Sequence, residues 1–353
     1  MNITISKDAL EQAISAPAKL ARAAKVDYLS CILLDARGDG LDAAATDMNE
    51  SVRCFAMALV EEEGCALVPA LALSGVVKTL PDKAVTLRDG GRGIIVECGK
   101  TAFDLPALDP GNFPGFPDVE GDSLVLDFAT LAAMVSACKP FAAKKDEARK
   151  VFTCARIASD GATLTMECTD SFRVGRVWMG IDGSPFECCA PVAFLDGVLS
   201  VKCGGNVVLT ASAGQIKAKT DAGVWTTRTV EGKFPNVKQL FDGERIASAA
   251  FDLAYLRSAV KRAQAIGKGY VRMQIGPECL LSRNDETGAY EEELEAIDYD
   301  GECHVGMQAQ YLADALGAAP ADEVRIELIS PVKPIYVTAD GFQACIMPVR
   351  MDR

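Results

Sequence analysis

Apolar residues recur at helical spacing in the stretch from Leu126 to Lys150. Leu131, Val135 and Cys138 follow one another at intervals of four and three residues, which places them on one face of a helix. Basic residues collect toward the end of the same stretch: Lys139, Lys144, Lys145, Arg149 and Lys150. The pattern predicts an amphipathic helix with an apolar face and a basic end.

The same apolar pattern occurs twice more. Leu10 and Ile14 lie 121 residues before Leu131 and Val135, and a third pair, Leu256 and Val260, lies 125 residues after them. An acidic residue stands near each start, where the positive end of the helix dipole favours it: Asp8, Asp127 and Asp252. In the first copy Pro17 is expected to stop or kink the helix.

Two dipeptides recur at nearly the same interval. They are Thr46-Asp47 with Thr169-Asp170, 123 residues apart, and Phe113-Pro114 with Phe234-Pro235, 121 residues apart. Self-similarity at a fixed period indicates repeated structural units. We therefore predict three similar domains, at residues 1–121, 122–245 and 246–353.

Between the helical segments, short alternating runs of apolar and polar residues end at Gly, Asp or Pro, which is typical of antiparallel strands joined by tight turns. Asp160-Gly161, for example, joins KVFTCARIAS to ATLTMECTD. Each third of the chain holds two short helical patterns among about eight strand-like runs, enough for a sheet with one face under both helices. The predicted fold class is α+β, with two helices packed on antiparallel β-sheet in each domain.

The residue types present argue against an enzyme. His304 is the only histidine, so a Ser-His-Asp triad has one possible base and a site with several histidine ligands cannot form. His304 itself is expected to be a packed strand residue. The sequence has no Gly-rich nucleotide motif, no Walker A loop and no spaced carboxylate motif, so we expect no metal and no cofactor.

The thirteen cysteines are odd in number, lie in apolar runs and form no C-x-x-C pair. We expect buried, reduced thiols. A cysteine-dependent enzyme would need a thiolate beside a base, and the presence of a single histidine argues against it. No run of eighteen apolar residues and no signal peptide occurs, so we expect no membrane association and a cytoplasmic location.

Charge is unevenly distributed in this acidic chain of 353 residues, whose net charge is −13. The helical segments 7–25, 127–150 and 252–268 together hold 13 basic and 6 acidic residues, which leaves a balance of −20 for the remainder. A basic surface inside an acidic shell could bind nucleic acid on one face and repel it elsewhere. Alternatively, these Lys and Arg side chains only point into solvent from the outer faces of three helices and bind no partner.

Several ordered motifs carry a family resemblance. They are VPALALSGVVKTLPDKAV in the first third, ECTDSFRVGRV and EGKFPNVKQL in the second, and VGMQAQYLADAL with ACIMPVR in the last. By their order and spacing the chain resembles the bacterial DNA polymerase III β sliding clamps from Met1 to Arg350. The resemblance implies a head-to-tail homodimer in which six domains form a ring, with helices lining the hole and sheets forming the outer wall.

The resemblance also implies contacts to the phosphates of double-stranded DNA without sequence specificity. The candidate DNA-binding residues are Lys19, Arg22, Lys25, Lys139, Lys144, Lys145, Arg149, Lys150, Arg257, Lys261 and Arg262. On the second helices, family positions that are basic correspond here to Leu71 and Phe194, for which Lys78 and Lys202 are candidate substitutes.

A second implied surface is a cleft between the second and third domains that binds short linear peptides. Its implied partners are the replicative polymerase, the clamp loader, and repair or translesion proteins. Carried over by position, its wall comprises Phe152, Thr169, Ser171, Phe172, Arg173, Val174, Pro235, Leu240, Tyr311, Val332, Ile346, Met347, Pro348, Val349 and Arg350. By their apolar strand setting alone, Val174 and Ile346 are more typical of a core than of a contact surface, and only the resemblance brings the two interpretations near parity.

Two features depart from the family pattern in this cleft. Phe172 stands where smaller or polar residues are common, and the tail Met351-Asp352-Arg353 extends past the usual last apolar residue. An alternative to the clamp is a β-rich scaffold that uses the same peptide cleft without encircling DNA. A dimer would favour the clamp, and a monomer would favour the scaffold.

Overall fold

The structure, a computed structural model, describes residues 1–22, 27–146, 148–201, 203–267, 269–286 and 288–350. The chain forms two compact units. One comprises Met1–Leu131 with Ala193–Thr229, and the other comprises Ala132–Val192 with the described chain from Val230 onward. Lys25, Lys202 and the tail Met351-Asp352-Arg353 lie outside the described residues.

Six α-helices occur in the described chain. They are α1 (Lys7–Ala21), α2 (Ala70–Thr79), α3 (Phe128–Cys138), α4 (Val192–Val198), α5 (Leu253–Ala265) and α6 (Ala309–Ala318). The strands of the first unit are β1 (Asn2–Ser6), β2 (Cys31–Arg37), β3 (Gly40–Thr46), β4 (Glu50–Met57), β5 (Leu59–Glu62), β6 (Gly64–Pro69), β7 (Ala84–Asp89), β8 (Gly93–Cys98), β9 (Thr101–Pro106), β10 (Asp122–Asp127), β15 (Asn206–Ala211), β16 (Gln215–Thr220) and β17 (Gly223–Arg228).

The second unit holds the strands β11 (Cys154–Asp160), β12 (Thr163–Thr169), β13 (Arg173–Gly180), β14 (Pro185–Pro191), β18 (Ala247–Asp252), β19 (Tyr270–Ile275), β20 (Cys279–Asp285), β21 (Gly288–Leu294), β22 (Asp298–Asp300), β23 (Cys303–Gln308), β24 (Glu323–Leu328), β25 (Ile335–Ala339) and β26 (Phe342–Ile346). Short 3-10 turns connect several elements, among them Lys139–Phe141 and Lys238–Phe241.

Each unit contains two antiparallel sheets among its described residues. In the first unit the strand orders are β5-β1-β7-β8-β9 and β10-β15-β16-β17-β4-β3-β2-β6. In the second unit they are β14-β11-β12-β13-β26-β25-β24-β18-β22 and β21-β20-β19-β23. Helices packed on antiparallel sheets confirm the predicted α+β class.

One strand arrangement occurs three times along the chain. The runs β1-β7-β8-β9, β10-β15-β16-β17 and β18-β24-β25-β26 have the same internal order, and so do β6-β2-β3-β4, β14-β11-β12-β13 and β23-β19-β20-β21. Pairing of β4 with β17, and of β13 with β26, joins consecutive copies into one sheet within each unit.

Local sequence explains where the helices begin. Ser6 accepts a hydrogen bond from the backbone N–H of Ala9 at the start of α1. Asp252 accepts from the N–H of Tyr255 at 2.7 Å, and Asp127 accepts from the N–H groups of Ala129 and Thr130. Two of the three acidic residues expected at helix starts therefore act as caps, and Asp8 lies in the first turn of α1.

Two predicted helix ends need correction. Pro17 does not end α1, because the last turn buries Ala18 and Ala21 and packing of the helix on β3 and β4 offsets the missing backbone hydrogen bond. The helix predicted from the Leu131 pattern ends at Cys138, just before Lys139-Pro140 forms a 3-10 turn. The cations that follow it therefore lie beyond the helix.

Candidate functional site

A tight loop between β12 and β13 carries four predicted peptide-binding residues. The Thr169 hydroxyl donates to the backbone carbonyl of Arg173 at 2.8 Å. The Asp170 carboxylate accepts from the N–H groups of Phe172 and Arg173, each at 3.0 Å. Between them Ser171 has a φ of +79°, a left-handed conformation that these hydrogen bonds hold in place. The loop leaves Phe172 58% exposed.

Arg173 is the centre of a polar cluster. Its guanidinium contacts the Asp170 carboxylate at 2.9 Å and the Asp314 carboxylate of α6 at 2.5 Å. The same group lies 4.4 Å from the centre of the Tyr311 ring, and the side chain is only 10% exposed. The cluster connects β13 to α6 and fixes two predicted site residues, Arg173 and Tyr311, next to each other.

The C-terminal segment is attached at two points. The N–H of Met347 donates to the Phe172 carbonyl at 2.9 Å, and the N–H of Val349 donates to the Gly306 carbonyl at 2.8 Å. Met347 remains 43% exposed. The segment therefore runs beside the Phe172 loop with an apolar side chain available to a ligand.

A buried apolar cluster supports this surface from below. Its members are Val151, Val174, Phe234, Val237, Tyr336 and Cys345. Phe152 and Phe241 pack against it, and the Tyr336 hydroxyl donates to the Leu240 carbonyl at 2.6 Å. Burial raises the pKa of Tyr336, which keeps this hydroxyl protonated as a donor. Leu240 is thereby held at the surface, where it is 40% exposed.

The fifteen predicted peptide-binding residues differ in exposure. The exposed ones are Ser171, Phe172, Leu240, Val332, Met347 and Arg350. The half-buried ones are Phe152, Arg173, Pro235, Tyr311, Pro348 and Val349. We use the name peptide trough for these twelve. The other three, Thr169, Val174 and Ile346, are buried and support the trough from within.

Sequence reasoning missed two residues of the trough framework. Asp170 and Asp314 hold the Arg173 guanidinium, yet neither was predicted. The three-residue spacing of Asp170 and Arg173 after a strand is a detectable signal for a turn in which the two side chains meet. Asp314 lies 141 residues from Arg173, and nothing in the local sequence indicates that pairing.

The described DNA-binding candidates are all exposed. They are Lys19, Arg22, Lys78, Lys139, Lys144, Lys145, Arg149, Lys150, Arg257, Lys261 and Arg262. Lys25 and Lys202 lie outside the described residues.

All four described candidate arginines have partners of their own, and Arg22 donates to the Ser74 hydroxyl at 2.9 Å. The Arg262 guanidinium makes a two-point contact with the Glu292 carboxylate, and this hydrogen bond lowers the pKa of Glu292. Arg149 pairs with Asp146 at 3.2 Å. Arg257 donates to the carbonyl of Leu316, at the C-terminal end of α6, and keeps an uncompensated charge. Pairing reduces the charge that Arg149 and Arg262 offer to a phosphate.

Five lysines make no ion pair with any residue that the structure describes: Lys19, Lys78, Lys144, Lys150 and Lys261. Their ammonium groups are exposed and can contact an anion without first breaking another contact. We regard them as the strongest candidates for phosphate binding.

The second helices were expected to carry Leu71 and Phe194 at positions that are basic in the family. The exposure of Leu71 is compatible with this expectation, whereas the burial of Phe194 contradicts it. Leu71 is 68% exposed on α2, at an outward position. Phe194 is fully buried, because it occupies the inward face of the short helix α4, and therefore cannot stand at an outward basic position. The residues of α4 that face outward are Ala193 and Asp196.

Most of the thirteen cysteines are buried, and all are free thiols. Burial raises the pKa of Cys154 to about 11 and that of Cys345 to about 12, so both thiols are neutral near pH 7. The prediction that His304 is packed is wrong. It lies exposed on β23 because its neighbour Val305 points inward, and adjacent strand residues point to opposite faces.

Glu50 lies in the first unit beside a cavity of about 490 Å³ that Lys19, Asp47, Asp196 and Trp225 also line. Burial, and then the charge of Asp47, raises the pKa of Glu50 from 4.5 to about 7. The folded protein thus binds this proton more tightly than the unfolded chain. The resulting stabilisation is fully present below pH 4.5 and is lost as the pH rises through about 7.

Replacing Glu50 with Gln should remove this pH dependence. At pH 8 the free energy of unfolding of E50Q should exceed that of the wild type by about 1 to 3 kcal/mol, with a smaller difference at pH 5.5. Urea unfolding at both pH values measures it, with the exposed Glu120→Gln as control. An E50Q variant that is destabilised equally at both pH values would refute the assignment.

Within the part of the chain that the structure describes, no helix combines the length and the apolar character needed to cross a bilayer. The same residues contain no group of three or more His, Cys, Asp or Glu side chains arranged to hold a metal.

Comparison with known proteins gives a consistent result along the whole chain. Residues 1–117 match the family profile of the DNA polymerase III beta subunit N-terminal domain, and residues 238–350 match that of its C-terminal domain. The Beta sliding clamp of Caulobacter vibrioides is 26% identical over 374 aligned positions, which cover 99% of this chain and all of that protein. The Beta sliding clamp of Streptomyces coelicolor is 24% identical with the same coverage.

Solved structures show the same fold. The DNA polymerase sliding clamp from Bacillus subtilis superimposes with a TM-score of 0.93 at 20% identity, and each chain covers 100% of the other. The DNA polymerase III subunit beta from Pseudomonas aeruginosa superimposes with a TM-score of 0.91 at 23% identity, covering 99% of this chain and 100% of that one. Because matches to the two family profiles lie at both ends of a chain that aligns over its full length, this protein belongs to the family of DNA polymerase III beta subunits, the sliding clamps.

Proposed function

We propose that this chain works as a DNA sliding clamp, a non-catalytic subunit that encircles duplex DNA and tethers the replicative DNA polymerase. The observation that carries the proposal is the pair of family matches at 1–117 and 238–350. A clamp acts by topology, so it needs a closed ring and a DNA-facing surface that does not read sequence.

In this proposal the ring is a head-to-tail homodimer of three-domain chains, with domains at 1–121, 122–245 and 246–353. The threefold recurrence of one strand order supports this division. β4 of the first domain pairs with β17 of the second, and β13 of the second domain pairs with β26 of the third. Both pairings support sheets that continue from one domain to the next.

The DNA contacts in this proposal are made by exposed cations, chiefly the five unpaired lysines Lys19, Lys78, Lys144, Lys150 and Lys261. Arg22 and Arg257 add charge, because neither guanidinium pairs with a described carboxylate in the contacts it makes. The net charge of −13 on the whole chain then repels DNA from other surfaces. Lysines are suited to this work, since a flexible ammonium follows a phosphate without fixing register.

The peptide trough is the proposed docking site for client proteins: the polymerase, the clamp loader, and repair or translesion proteins. Phe172, Leu240 and Met347 offer exposed apolar surface to Leu or Phe side chains of an extended peptide. Met is flexible and polarizable, which suits a site with many ligands.

The oligomeric state tests the proposal against a peptide-binding scaffold that does not encircle DNA. Sedimentation equilibrium at micromolar concentration should give about 75 kDa, twice the 37.4 kDa of one chain. A persistent monomer would contradict a ring built from two chains.

A further inference from the structure

The loop between β3 and β4 in the first unit repeats the hydrogen bonds that the Thr and Asp side chains make to the backbone in the peptide-trough loop. The Thr46 hydroxyl donates to the Glu50 carbonyl at 2.8 Å, and the Asp47 carboxylate accepts from the N–H groups of Asn49 and Glu50 at 2.9 and 2.7 Å. Met48 has a φ of +76°, close to the +79° of Ser171 in the trough. The two loops therefore share one backbone frame.

The strand beside this loop is also arranged as in the trough. Ser51 pairs with Thr226 as Val174 pairs with Cys345. The N–H of Arg228 donates to the Asn49 carbonyl at 3.1 Å, as the N–H of Met347 donates to the Phe172 carbonyl at 2.9 Å. By this register Arg228 occupies the position that Met347 has in the trough.

A cavity of about 370 Å³ opens at this place. We call it the second cavity; its lining includes Met48, Asn49, Ser51, Phe116, Thr226 and Arg228. Phe116 lies in the segment FPGFP at 113–117. The first Phe-Pro of this segment, Phe113-Pro114, recurs as Phe234-Pro235, and Pro235 is a trough residue. Phe116 is held by the Phe113 ring, 5.7 Å away between centres, and by the Arg53 guanidinium at 5.5 Å.

The chemistry of the second cavity differs from that of the trough. Ser51 and Thr226 replace Val174 and Cys345, so its floor carries hydroxyl groups instead of apolar side chains. Arg228 is the only charged residue among the described lining residues, is exposed, and makes no ion pair with any described residue. Met48, 53% exposed, supplies apolar surface next to this cation.

We propose that the second cavity is an additional peptide-binding site, and that it selects an extended acidic peptide in which a carboxylate lies next to an apolar side chain. The carboxylate contacts the Arg228 guanidinium, and the apolar side chain packs on Met48 and Phe116. This goes beyond the proposed function and does not depend on ring closure, because every residue involved belongs to the first unit.

The test uses a fluorescein-labelled, carboxy-amidated octapeptide, Gly-Ser-Asp-Leu-Asp-Phe-Gly-Ser, titrated with the full-length protein carrying Met347→Ser, because the trough also accepts Leu and Phe side chains and must be weakened first. We expect saturable binding below about 1 mM that weakens with salt. Arg228→Glu should weaken binding about ten- to a hundredfold, whereas Arg228→Lys should retain most of it. A photo-reactive version of the peptide should label the segments around Met48 and Phe116.

Three controls make the result decisive. Lys219→Glu makes the same charge change at another exposed site of the first unit and should leave affinity unchanged. The same octapeptide with Asn in place of both Asp residues should bind at least tenfold more weakly. Restoring Met347 re-forms the trough and should leave photo-labelling of the segments around Met48 and Phe116 unchanged. The proposal is overturned by absence of binding, by equal affinity with and without Arg228→Glu, or by labelling confined to the trough.

Discussion

Deleting residues 347–353 should abolish binding of a polymerase-tail peptide that carries Leu and Phe, while the dimer stays assembled. The deletion removes Met347, an exposed apolar side chain of the trough, and Val349, whose N–H attaches the segment to Gly306. Loss of one buried apolar anchor costs about 2 kcal/mol, and loss of the segment should weaken the peptide at least about a hundredfold. Fluorescence anisotropy with the labelled peptide measures this change.

A point variant separates the lost contact from a general effect of truncation. Met347→Ser should weaken the same peptide about tenfold or more with an unchanged urea midpoint. Met179 is the matched control, since it is also an exposed methionine of the second unit, and Met179→Ser should bind as the wild type does. Unchanged affinity after the truncation would contradict the assignment of the trough.

Reversing three unpaired lysines should remove most of the affinity for duplex DNA. The variant is Lys144→Glu, Lys150→Glu and Lys261→Glu, at positions where no described carboxylate competes for the ammonium. If each lysine neutralises one phosphate, the slope of log K against log salt concentration should fall by about 3, with a loss of about a hundredfold or more at low salt. Titration of the dimer with a labelled random-sequence duplex gives both quantities.

The control variant changes the net charge equally. Lys83→Glu, Lys100→Glu and Lys219→Glu alter three exposed lysines that are not DNA-binding candidates. It should keep most of the salt slope, because only long-range repulsion has changed. If both triple variants lose the same affinity, net charge explains the binding and the proposed contacts are wrong.

Periodic patterns allowed much of the fold to be predicted from sequence. The apolar face with Leu131, Val135 and Cys138 is buried as expected, and Asp127 and Asp252 cap helices. The Thr-Asp repeat marks the same turn in both units. These features depend on neighbours in the sequence, which is why they can be deduced without coordinates.

Features set by long-range contacts could not be predicted in this way. The last turn of α1 continues past Pro17 because of what it packs on, and Phe194 is buried because α4 turns that face inward. At the trough, the resemblance supplied the residue positions. It did not show that Ile346 is buried whereas the adjacent Met347 is exposed. The pairing of Arg173 with Asp314 joins two distant segments and has no local signal.

Retention on circular DNA tests most directly whether the protein encircles the duplex. The dimer is loaded onto a nicked circle by the clamp loader, separated from free protein in high salt, and then the circle is cut once. We predict that the dimer stays with the intact circle and leaves after the cut, because screened phosphate contacts cannot hold it on a linear end. Equal retention on cut and intact DNA, or release from the intact circle, would contradict a ring around the duplex.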